Sequence, residues 1–300
     1  MSTVSAVNGN SAGDWIRFPG QLRMESSGPF RRVFHTLRLP DSKRMNPALN
    51  GRILFISDLH FTGEYSHSAI PGSLHYRYGE QLLDFLQETI RQYKVEHILF
   101  GGDLLTYLSV LDRALDFFRE LRVPGKKIGV YGNWDLKHPW ISYQYWEKRW
   151  KDEAGLELLC NRESFLDGIR IYGMDEYRNG SPFYMPSSSG STPNWLLTHN
   201  PDAIPEILTR KDLSGIDLIL CGHTHGGQIR LPLFGAVQTS SIYWKHFEYG
   251  LYRHRESNTQ LLVTAGLGCT LIRHRFFCPP EAVILDVKQD PAWNGYSTKA

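Results

Sequence analysis

From residue 51 onward, short apolar runs alternate with segments of helical spacing, and this alternation limits the fold more than any other feature of the chain. The runs GRILFISD, VEHILFGGD and GKKIGVYGN have the length and composition of buried strands. Between them, EQLLDFLQETIRQY and LDRALDFFRELRV place apolar residues at the spacing of amphipathic helices. Strands that alternate with helices in this way predict βαβ units and a sheet covered by helices.

The second half of the chain has shorter apolar runs and fewer long helical segments. The predicted strands there are GIRIYGMD, WLLTHN, IDLILCGHTH, TQLLVTAGLG and EAVILDV, and PDAIPEILTR is predicted to be helical. Nearer the N-terminus, RRVFHTLRLP alternates like a strand, and the residues on its predicted buried face are Val33, His35, Leu37 and Leu39. These runs indicate a second sheet packed on the first. The predicted class is therefore α/β (α+β), a two-sheet β-sandwich flanked by helices.

Composition divides the chain into one domain and two tails. Residues 1–14 are small and polar, which is typical of disorder, and we predict a disordered N-terminal tail over 1–28. Residues 29–288 are predicted to form a single domain, and residues 289–300 a C-terminal tail. The turn-rich stretch SPFYMPSSSGSTPN is interpreted as a loop inside the domain, because predicted strands resume on both sides of it.

Charge and cysteine content argue against several classes of protein. The net charge of +2 gives no general reason to expect nucleic acid as a partner, although residues 1–50 carry seven Lys/Arg against three Asp/Glu. No apolar run approaches the roughly 20 residues that a membrane-spanning helix needs, and the N-terminus lacks the basic and apolar regions of a signal peptide. Four cysteines without CxxC spacing indicate reduced thiols, so we expect a cytoplasmic protein.

Five of the predicted strands end in residue types that bind metals. The seven side chains are Asp58, His60, Asp103, Asn133, His199, His223 and His225. Taken singly, an Asp or Asn after a strand is typical of a turn, and a buried His is typical of a hydrogen-bonded core residue. However, functional groups gather where the carboxyl ends of strands meet. Asp, His and Asn together suit divalent Mn, Fe or Zn. Two such ions, bridged by the carboxylate of Asp103, would clamp a phosphoryl group and activate water for in-line displacement.

The same segments, in the same order, resemble the calcineurin-like metallophosphoesterase superfamily. They are DLH at 58–60, GD at 102–103, GNWD at 132–135, His199, and GHTH at 222–225. In addition, GHTHGGQIRLPLFG and the later RFFCPPEAVILDV are similar to the bacterial class III-type phosphodiesterase branch, whose members include UDP-2,3-diacylglucosamine pyrophosphatases. The resemblance covers about residue 30 to residue 287 and implies the helix-flanked β-sandwich of that superfamily.

By position, the resemblance implies two metal-binding sets that share one residue. The first set is Asp58, His60, Asp103 and His225, and the second is Asp103, Asn133, His199 and His223. It further implies two divalent ions as cofactors, with Mn²⁺ expected first and Fe or Zn as alternatives. The residues expected to be catalytic are Asp103, Asn133 and His199.

Position 134 departs from the superfamily's pattern. The pattern has a His there that contacts the substrate phosphate and helps to protonate the leaving group, whereas this chain has Trp134. Tryptophan offers only an indole N–H, and loss of a general acid typically costs about 10²–10⁴-fold in rate. His138 is one candidate substitute, and His67 and His75 are others. Because all seven predicted ligands are present, we expect an active enzyme.

Several other residues are predicted to bind the substrate. Trp134 lies at the position of the phosphate-contacting His, and Gln228 and Arg230 follow the last ligand pair. Arg77, in the long loop after the first motif, offers bidentate contact with a second phosphate, and the alternative, which the residue type favours, is an ordinary surface arginine.

Three segments interleave aromatic and basic residues: WISYQYWEKRW, YWKHFEYGLYRHR and IRHRFF. The spacing of Tyr143, Trp146 and Trp150 in the first indicates a helix face packed on the core. The alternative interpretation is a surface for lipid headgroups, which would place the protein peripherally on the inner face of a membrane.

Together these features predict a dinuclear-metal phosphohydrolase that acts on a phosphodiester or pyrophosphate bond. The expected substrate is a lipid or sugar nucleotide such as UDP-2,3-diacylglucosamine, which would place the protein in lipid metabolism, and no nucleic acid is expected. Two alternatives stay open: a nonenzymatic metal-binding scaffold derived from the superfamily, and a phosphomonoesterase or protein phosphatase. The sequence alone leaves open the exact substrate, the native metal, the oligomeric state and the general acid.

Overall fold

The computed structural model describes residues 11–18, 22–40, 42–43, 52–61, 80–187, 189–270 and 274–289. Within these residues the strands form two seven-stranded sheets and one two-stranded hairpin. Helices cover the outer faces of both sheets. The predicted two-sheet sandwich flanked by helices is confirmed.

The first sheet carries the predicted βαβ units. Its strands, in spatial order, are β2 (Arg23–Ser27), β3 (Phe30–Leu39), β16 (Glu281–Gln289), β4 (Arg52–Ile56), β5 (Val95–Phe100), β6 (Lys127–Val130) and β7 (Leu156–Leu159). The strands from β4 to β7 pair in parallel. Their carboxyl ends therefore meet at one edge of the sheet, as the alternation of strands and helices predicts.

The second sheet comes mostly from the second half of the chain. Its strands, in spatial order, are β1 (Trp15–Arg17), β14 (Gly250–His254), β15 (Gln260–Val263), β11 (Leu218–Cys221), β10 (Asn194–Leu197), β9 (Ile169–Gly173) and β8 (Arg162–Leu166). The strands β9, β10, β11 and β15 are parallel. A separate hairpin joins β12 (Arg230–Leu231) to β13 (Gly235–Ala236).

Among the described residues, three helices pack on the first sheet and two short helices on the second. They are α1 (Glu80–Gln92), α2 (Leu111–Glu120) and α3 (Tyr143–Ala154), then α4 (Ala203–Ile207) and α5 (Arg210–Ser214). Short 3₁₀ turns lie at Ala12–Asp14, Leu108–Val110, Asp135–Lys137, His225–Gly227 and Trp244–Phe247. None of the helices in the described ranges is long and apolar enough to cross a membrane.

The helix predicted over PDAIPEILTR is shorter than the segment, because α4 covers only Ala203–Ile207 and α5 starts at the last residue, Arg210. The chain is extended at Leu208, between α4 and α5. Thr209 then starts α5 with a capping box, because its hydroxyl accepts a hydrogen bond from the Asp212 N–H at 3.1 Å and the Asp212 carboxylate accepts one from the Thr209 N–H at 2.9 Å. This capping box, which follows the extended residue Leu208, favours two short helices over one longer helix.

The interior of the sandwich is apolar and is built by both sheets. Phe55 and Leu99 of the first sheet share one buried cluster with Trp195 and Leu220 of the second. The predicted face of β3 also points inward, since all four of its residues are buried: Val33, His35, Leu37 and Leu39. The two sheets therefore separate three apolar layers. One layer lies between the sheets, and the other two lie between each sheet and its helices.

The predicted N-terminal tail is too long, because β1 and β2 both lie within residues 1–28. Trp15 is 3% exposed, and its ring lies 6.4 Å from that of Phe247. Burial of this large side chain gives β1 a reason to join the sheet. Of the predicted C-terminal tail, the structure describes Gln289 alone, as the last residue of β16.

Candidate metal centre

The loops that follow β4, β5 and β11 bring together four buried side chains with metal-binding atoms. They are Asp58, His60, Asp103 and His225, and one ligand atom from each lies within 4.8 Å of the others. The Nε2 atom of His60 is 3.1 Å from Nε2 of His225 and 3.2 Å from Oδ2 of Asp103. The Nε2 atom of His225 is also 3.4 Å from Oδ1 of Asp58.

A second set of donor atoms gathers around His199, beside the first set. The Nε2 atom of His199 lies 3.3 Å from Oδ2 of Asp103 and 3.2 Å from Oδ1 of Asn133. The same nitrogen lies 3.1 Å from Nδ1 of His223. Oδ2 of Asp103 therefore faces both sets, with His60 on one side and His199 on the other. The structure thus brings together all seven residues that the sequence singles out.

The tautomer of His199 suits a metal ligand. Its Nδ1 is 2.7 Å from the carbonyl oxygen of Gly101, which can only accept, so Nδ1 carries a proton and donates it. The lone pair of neutral His199 is then on Nε2, which faces the other donor atoms. Such an outer hydrogen bond orients a metal-binding imidazole. The combined set of imidazole nitrogens, carboxylates and one amide oxygen fits borderline divalent ions such as Mn, Fe and Zn.

Burial and mutual charge determine protonation in the centre. Burial raises the pKa of Asp58. Burial also disfavours the charged form of Asp103, but electrostatic and hydrogen-bond interactions with His199 and His60 hold the pKa of Asp103 well below its usual range. Burial lowers the pKa of His225, and the neighbouring His60 lowers it further. The two buried carboxylates, Asp58 and Asp103, need positive charge beside them. Divalent ions would supply this charge in place of the protons that the side chains otherwise hold.

The backbone is strained at most of the predicted ligands. Five of them have positive φ, with values of 54° at Asp58, 46° at His60, 58° at Asp103, 70° at His223 and 52° at His225. Each non-glycine residue in such a region costs about 1–3 kcal/mol and persists only where the surroundings impose it. The strain turns these side chains inward from the ends of different strands, which the sequence pattern does not reveal.

Two glycines allow the ligand loops to approach each other. A Cβ atom on Gly132 would lie 2.1 Å from Oδ1 of Asp103, and one on Gly222 would lie 2.3 Å from Oδ2 of Asp58. No side chain fits at either distance without moving a predicted ligand. The glycines beside the motif residues are therefore part of the site.

Asp135 also supports the site, although no role was predicted for it. It is buried, and its Oδ2 accepts hydrogen bonds of 2.9 Å from the N–H groups of both Gly132 and Asp103. Its Oδ1 accepts from the N–H groups of Leu104 and Leu105 at 2.9 and 3.3 Å. One carboxylate thus ties the loop of Asp103 to the loop of Asn133. Its place in GNWD is the signal that could have identified it.

Arg275 corrects the interpretation of IRHRFF as a basic surface. Its side chain is fully buried. Its guanidinium donates to the carbonyl oxygen of Gly268 at 2.9 Å, of Ala265 at 2.6 Å and of His225 at 3.3 Å. A charged side chain is enclosed here because carbonyl groups surround it. Arg275 therefore supports the loop that carries His225.

Trp134 lies directly at the centre. Its ring stands edge-on to that of His60, with centroids 5.5 Å apart, and its backbone N–H donates to Oδ1 of Asp103 at 2.8 Å. The ammonium group of Lys137 lies 2.8 Å from the centroid of the Trp134 ring, a cation–π contact. His138, the candidate substitute acid, has its ring 5.1 Å from that of Trp140.

The side chains of Gln228 and Arg230, which are predicted to bind substrate, are hydrogen-bonded within the protein. The amide of Gln228 donates to the carbonyl oxygen of Thr270 at 3.2 Å and accepts from the N–H of the same residue at 2.8 Å. Arg230 donates to the carbonyl oxygen of Gly226 at 2.8 Å and to Glu248 at 3.0 Å. Both side chains are therefore engaged in holding loops together. Arg77, His67 and His75 lie outside the described residues.

In segment 140–150, the tryptophans on the helix pack in the core, as their spacing predicts. Trp146 and Trp150 are each 1% exposed and pack in the cluster between the helices and the first sheet. Trp140, before the helix, is 74% exposed.

Comparisons with known proteins agree with this geometry. A family model described as calcineurin-like phosphoesterase matches residues 51–227, a range that contains all seven predicted ligands. The Bacillus subtilis metallophosphoesterase YkuE is 31% identical over 211 residues, which cover 67% of this chain and 70% of YkuE. The Escherichia coli phosphodiesterase YaeI is 28% identical over 246 residues, covering 79% of this chain and 82% of YaeI.

A further relative carries a more specific name. It is the Chlamydia muridarum UDP-2,3-diacylglucosamine pyrophosphatase LpxG, which is 36% identical over 144 residues. These residues cover 45% of this chain and 42% of LpxG.

Proposed function

The chain belongs to the calcineurin-like phosphoesterase family and is therefore a metal-dependent phosphoester hydrolase, and within that class we propose that it cleaves a phosphodiester or pyrophosphate bond at a two-metal centre. The observation that carries this proposal is the position of Asp103. Its Oδ2 lies 3.2 Å from Nε2 of His60 and 3.3 Å from Nε2 of His199, between the two sets of donor atoms. A single carboxylate oxygen so placed suits a bridge between two ions.

Each ion is assigned four of the gathered side chains. Asp58, His60, Asp103 and His225 would hold the first, and Asp103, Asn133, His199 and His223 the second. Divalent ions at these sets supply Lewis-acid polarisation of the phosphoryl group and an activated water nucleophile. Mn²⁺ is the ion we propose, with Fe and Zn as alternatives of similar ligand preference.

The protein's own residues favour a leaving group that needs little protonation. Trp134 occupies the position beside His60 and has no titratable proton near neutral pH. The ammonium of Lys137, held over the Trp134 ring, offers positive charge instead of an imidazole acid. Fixed charge of this kind stabilises the negative charge that develops on a departing phosphate. Diesters and pyrophosphates with stable leaving groups therefore suit the site better than alkyl monoesters.

The proposed substrate is a lipid or a sugar nucleotide such as UDP-2,3-diacylglucosamine. Support comes from LpxG, a pyrophosphatase of that substrate by name, and from YaeI, a phosphodiesterase by name. The two names share one type of substrate bond. In both cases the phosphoryl group is linked on two sides, either by two ester bonds or by an anhydride.

The test compares bond types on metal-stripped protein to which Mn²⁺ is returned. We expect metal-dependent hydrolysis of bis-p-nitrophenyl phosphate to exceed that of p-nitrophenyl phosphate, followed by cleavage of UDP-2,3-diacylglucosamine. Asp103→Asn should lose both bound metal and turnover, while the control Asp116→Asn, an exposed carboxylate on α2, should keep both.

Two results would overturn the proposal. Preference for the monoester would assign the protein to the phosphomonoesterases. Full turnover by Asp103→Asn would exclude the bridging role of that carboxylate.

A further inference from the structure

The hairpin between β12 and β13 presents an apolar tip to solvent. Leu233 is fully exposed and Phe234 is 74% exposed, and Leu231 beside them is 45% exposed. An isolated exposed leucine is ordinary, but several large apolar side chains on one protruding turn mark an interaction site. The sequence RLPLFG therefore builds a projecting apolar point rather than a core-facing strand.

Further exposed apolar residues lie next to this tip. Phe277 and Leu233 line the same cavity of about 470 Å³, and Ile229, just before β12, bridges to Phe276. Lys245 donates to the carbonyl oxygen of Phe234 at 2.7 Å, which brings its neighbour Trp244 to the hairpin. We call this set the tip surface: Leu231, Leu233, Phe234, Trp244 and Phe277, each at least 45% exposed.

The charge around the tip surface is positive. Residues 226–247 contain Arg230 and Lys245 but no Asp or Glu. The carboxylate of Glu248, which lines the same cavity, is buried and is paired with both Arg17 and Arg230 at 3.0 Å. A partner of complementary charge is therefore anionic.

Backbone polar groups at the tip are already hydrogen-bonded within the protein. The N–H of Phe234 donates to the carbonyl oxygen of Leu231 at 3.2 Å, and the carbonyl oxygen of Phe234 accepts from Lys245. Polar groups that are already paired cost less to place in hydrocarbon. The long side chain of Lys245 can keep its ammonium at the level of the headgroups, and Trp244 is a residue type enriched at that level.

We propose that the tip surface inserts into the face of an anionic lipid bilayer. A projecting point with flanking cations suits the soft, anionic interface of a membrane better than the flat or concave surface of a folded partner. The hairpin starts five residues after His225, so insertion would hold the metal centre close to the membrane. The proposal concerns attachment alone and does not depend on which phosphoester the centre cleaves.

The test is flotation of the full chain with vesicles, without substrate. We expect binding to vesicles of phosphatidylcholine with phosphatidylglycerol, weaker binding to phosphatidylcholine alone, and weakening by salt. The double variant Leu233→Ser/Phe234→Ser should lose about tenfold or more in vesicle affinity, because two large apolar side chains no longer insert. The matched control is Phe165→Ser, since Phe165 is 47% exposed on β8, an edge strand of the second sheet that is not part of the hairpin. It should bind as the wild type does.

Circular dichroism and hydrolysis of a soluble diester show that the double variant is folded. Equal flotation of the double variant and the wild type would overturn the proposal, as would a wild type that binds no vesicles. A wild type that instead forms dimers which the double variant cannot form would assign the tip surface to a second copy of the chain, and would also overturn it.

Discussion

Replacing Asp135 by Asn should loosen the metal centre without removing a metal ligand. The wild-type carboxylate accepts four backbone hydrogen bonds, three from Asp103, Leu104 and Leu105 in one loop and one from Gly132 in the loop of Asn133. An asparagine keeps one accepting oxygen and turns an NH₂ group toward the other two N–H donors. Each buried donor left without a partner costs about 1–3 kcal/mol, so the variant should lose about 2–6 kcal/mol of stability.

The loss should appear as weaker metal binding as well as a lower Tm. Because Asp135 orients the backbone that carries Asp103, we expect metal affinity to fall by about 10–100-fold, as is usual for groups that position ligands. Metal content after dialysis, Tm and hydrolysis of bis-p-nitrophenyl phosphate measure the three effects. A centre that is only loosened should regain part of its turnover at high Mn²⁺.

Asp202→Asn is the matched control for this variant. Asp202 is also fully buried, and it accepts from the N–H of Ile242 at 2.9 Å and from the hydroxyl of Ser241. We expect this variant to lose stability but to keep its metal. If Asp135→Asn keeps wild-type metal affinity while its Tm falls like that of the control, the proposed role of Asp135 in positioning the ligands is refuted.

Three further predictions follow from the same structure. Gly132→Ala should abolish metal binding, because its Cβ would lie 2.1 Å from Oδ1 of Asp103, whereas Gly190→Ala, with open space around its Cβ, should bind metal normally; normal metal content in the first variant would contradict the close approach. His35, buried inside the sandwich, has its pKa lowered by burial to about 4, below the value of 6.5 in the unfolded chain, so stability should be complete above pH 6.5 and lost as the pH falls toward 4. The loss at pH 5 should be about 2 kcal/mol in urea titrations, and His35→Leu should remove this pH dependence. Trp134→His should raise turnover of aryl monoesters relative to aryl diesters by restoring a proton donor, and an unchanged ratio of kcat/KM would show that position 134 does not control the leaving group.

Sequence periodicity was sufficient for the parallel strands β4, β5 and β6 and for the gathering of polar side chains at their ends, because both depend on local patterns. Apolar runs such as the one in β5 predict a buried strand, and the residue after its turn, Asp103, is placed by the end of that strand. Parallel pairing then carries the neighbouring strand ends to the same edge without further information. The early end of α4 within PDAIPEILTR escaped the pattern because the Thr209 capping box starts a separate helix, α5, just after it.

Roles that depend on contacts between distant segments could not be read from the chain. Arg275 lies in a segment that looks basic and exposed, but it is enclosed by carbonyl groups 7 to 50 residues away in sequence. Gln228 follows the ligand pair and looks available to a substrate, but Thr270 occupies its amide. In both cases the side chain has the chemistry of a binding residue, and only the folded arrangement decides what it binds.

Trp134 and Lys137 are best understood as one substitution for the superfamily's histidine. An imidazole would supply both a cation near the phosphoryl group and a proton for the leaving group. The Trp134 ring, fixed edge-on to His60, holds the Lys137 ammonium over its face and so retains the cation. Burial lowers the pKa of Lys137, although the charge of Asp103 opposes this, so the ammonium is a somewhat better acid than an ordinary lysine. Lys137→Met should therefore reduce kcat for diesters more than it reduces metal affinity, while an equal loss of both would mean that Lys137 only supports the fold of the centre.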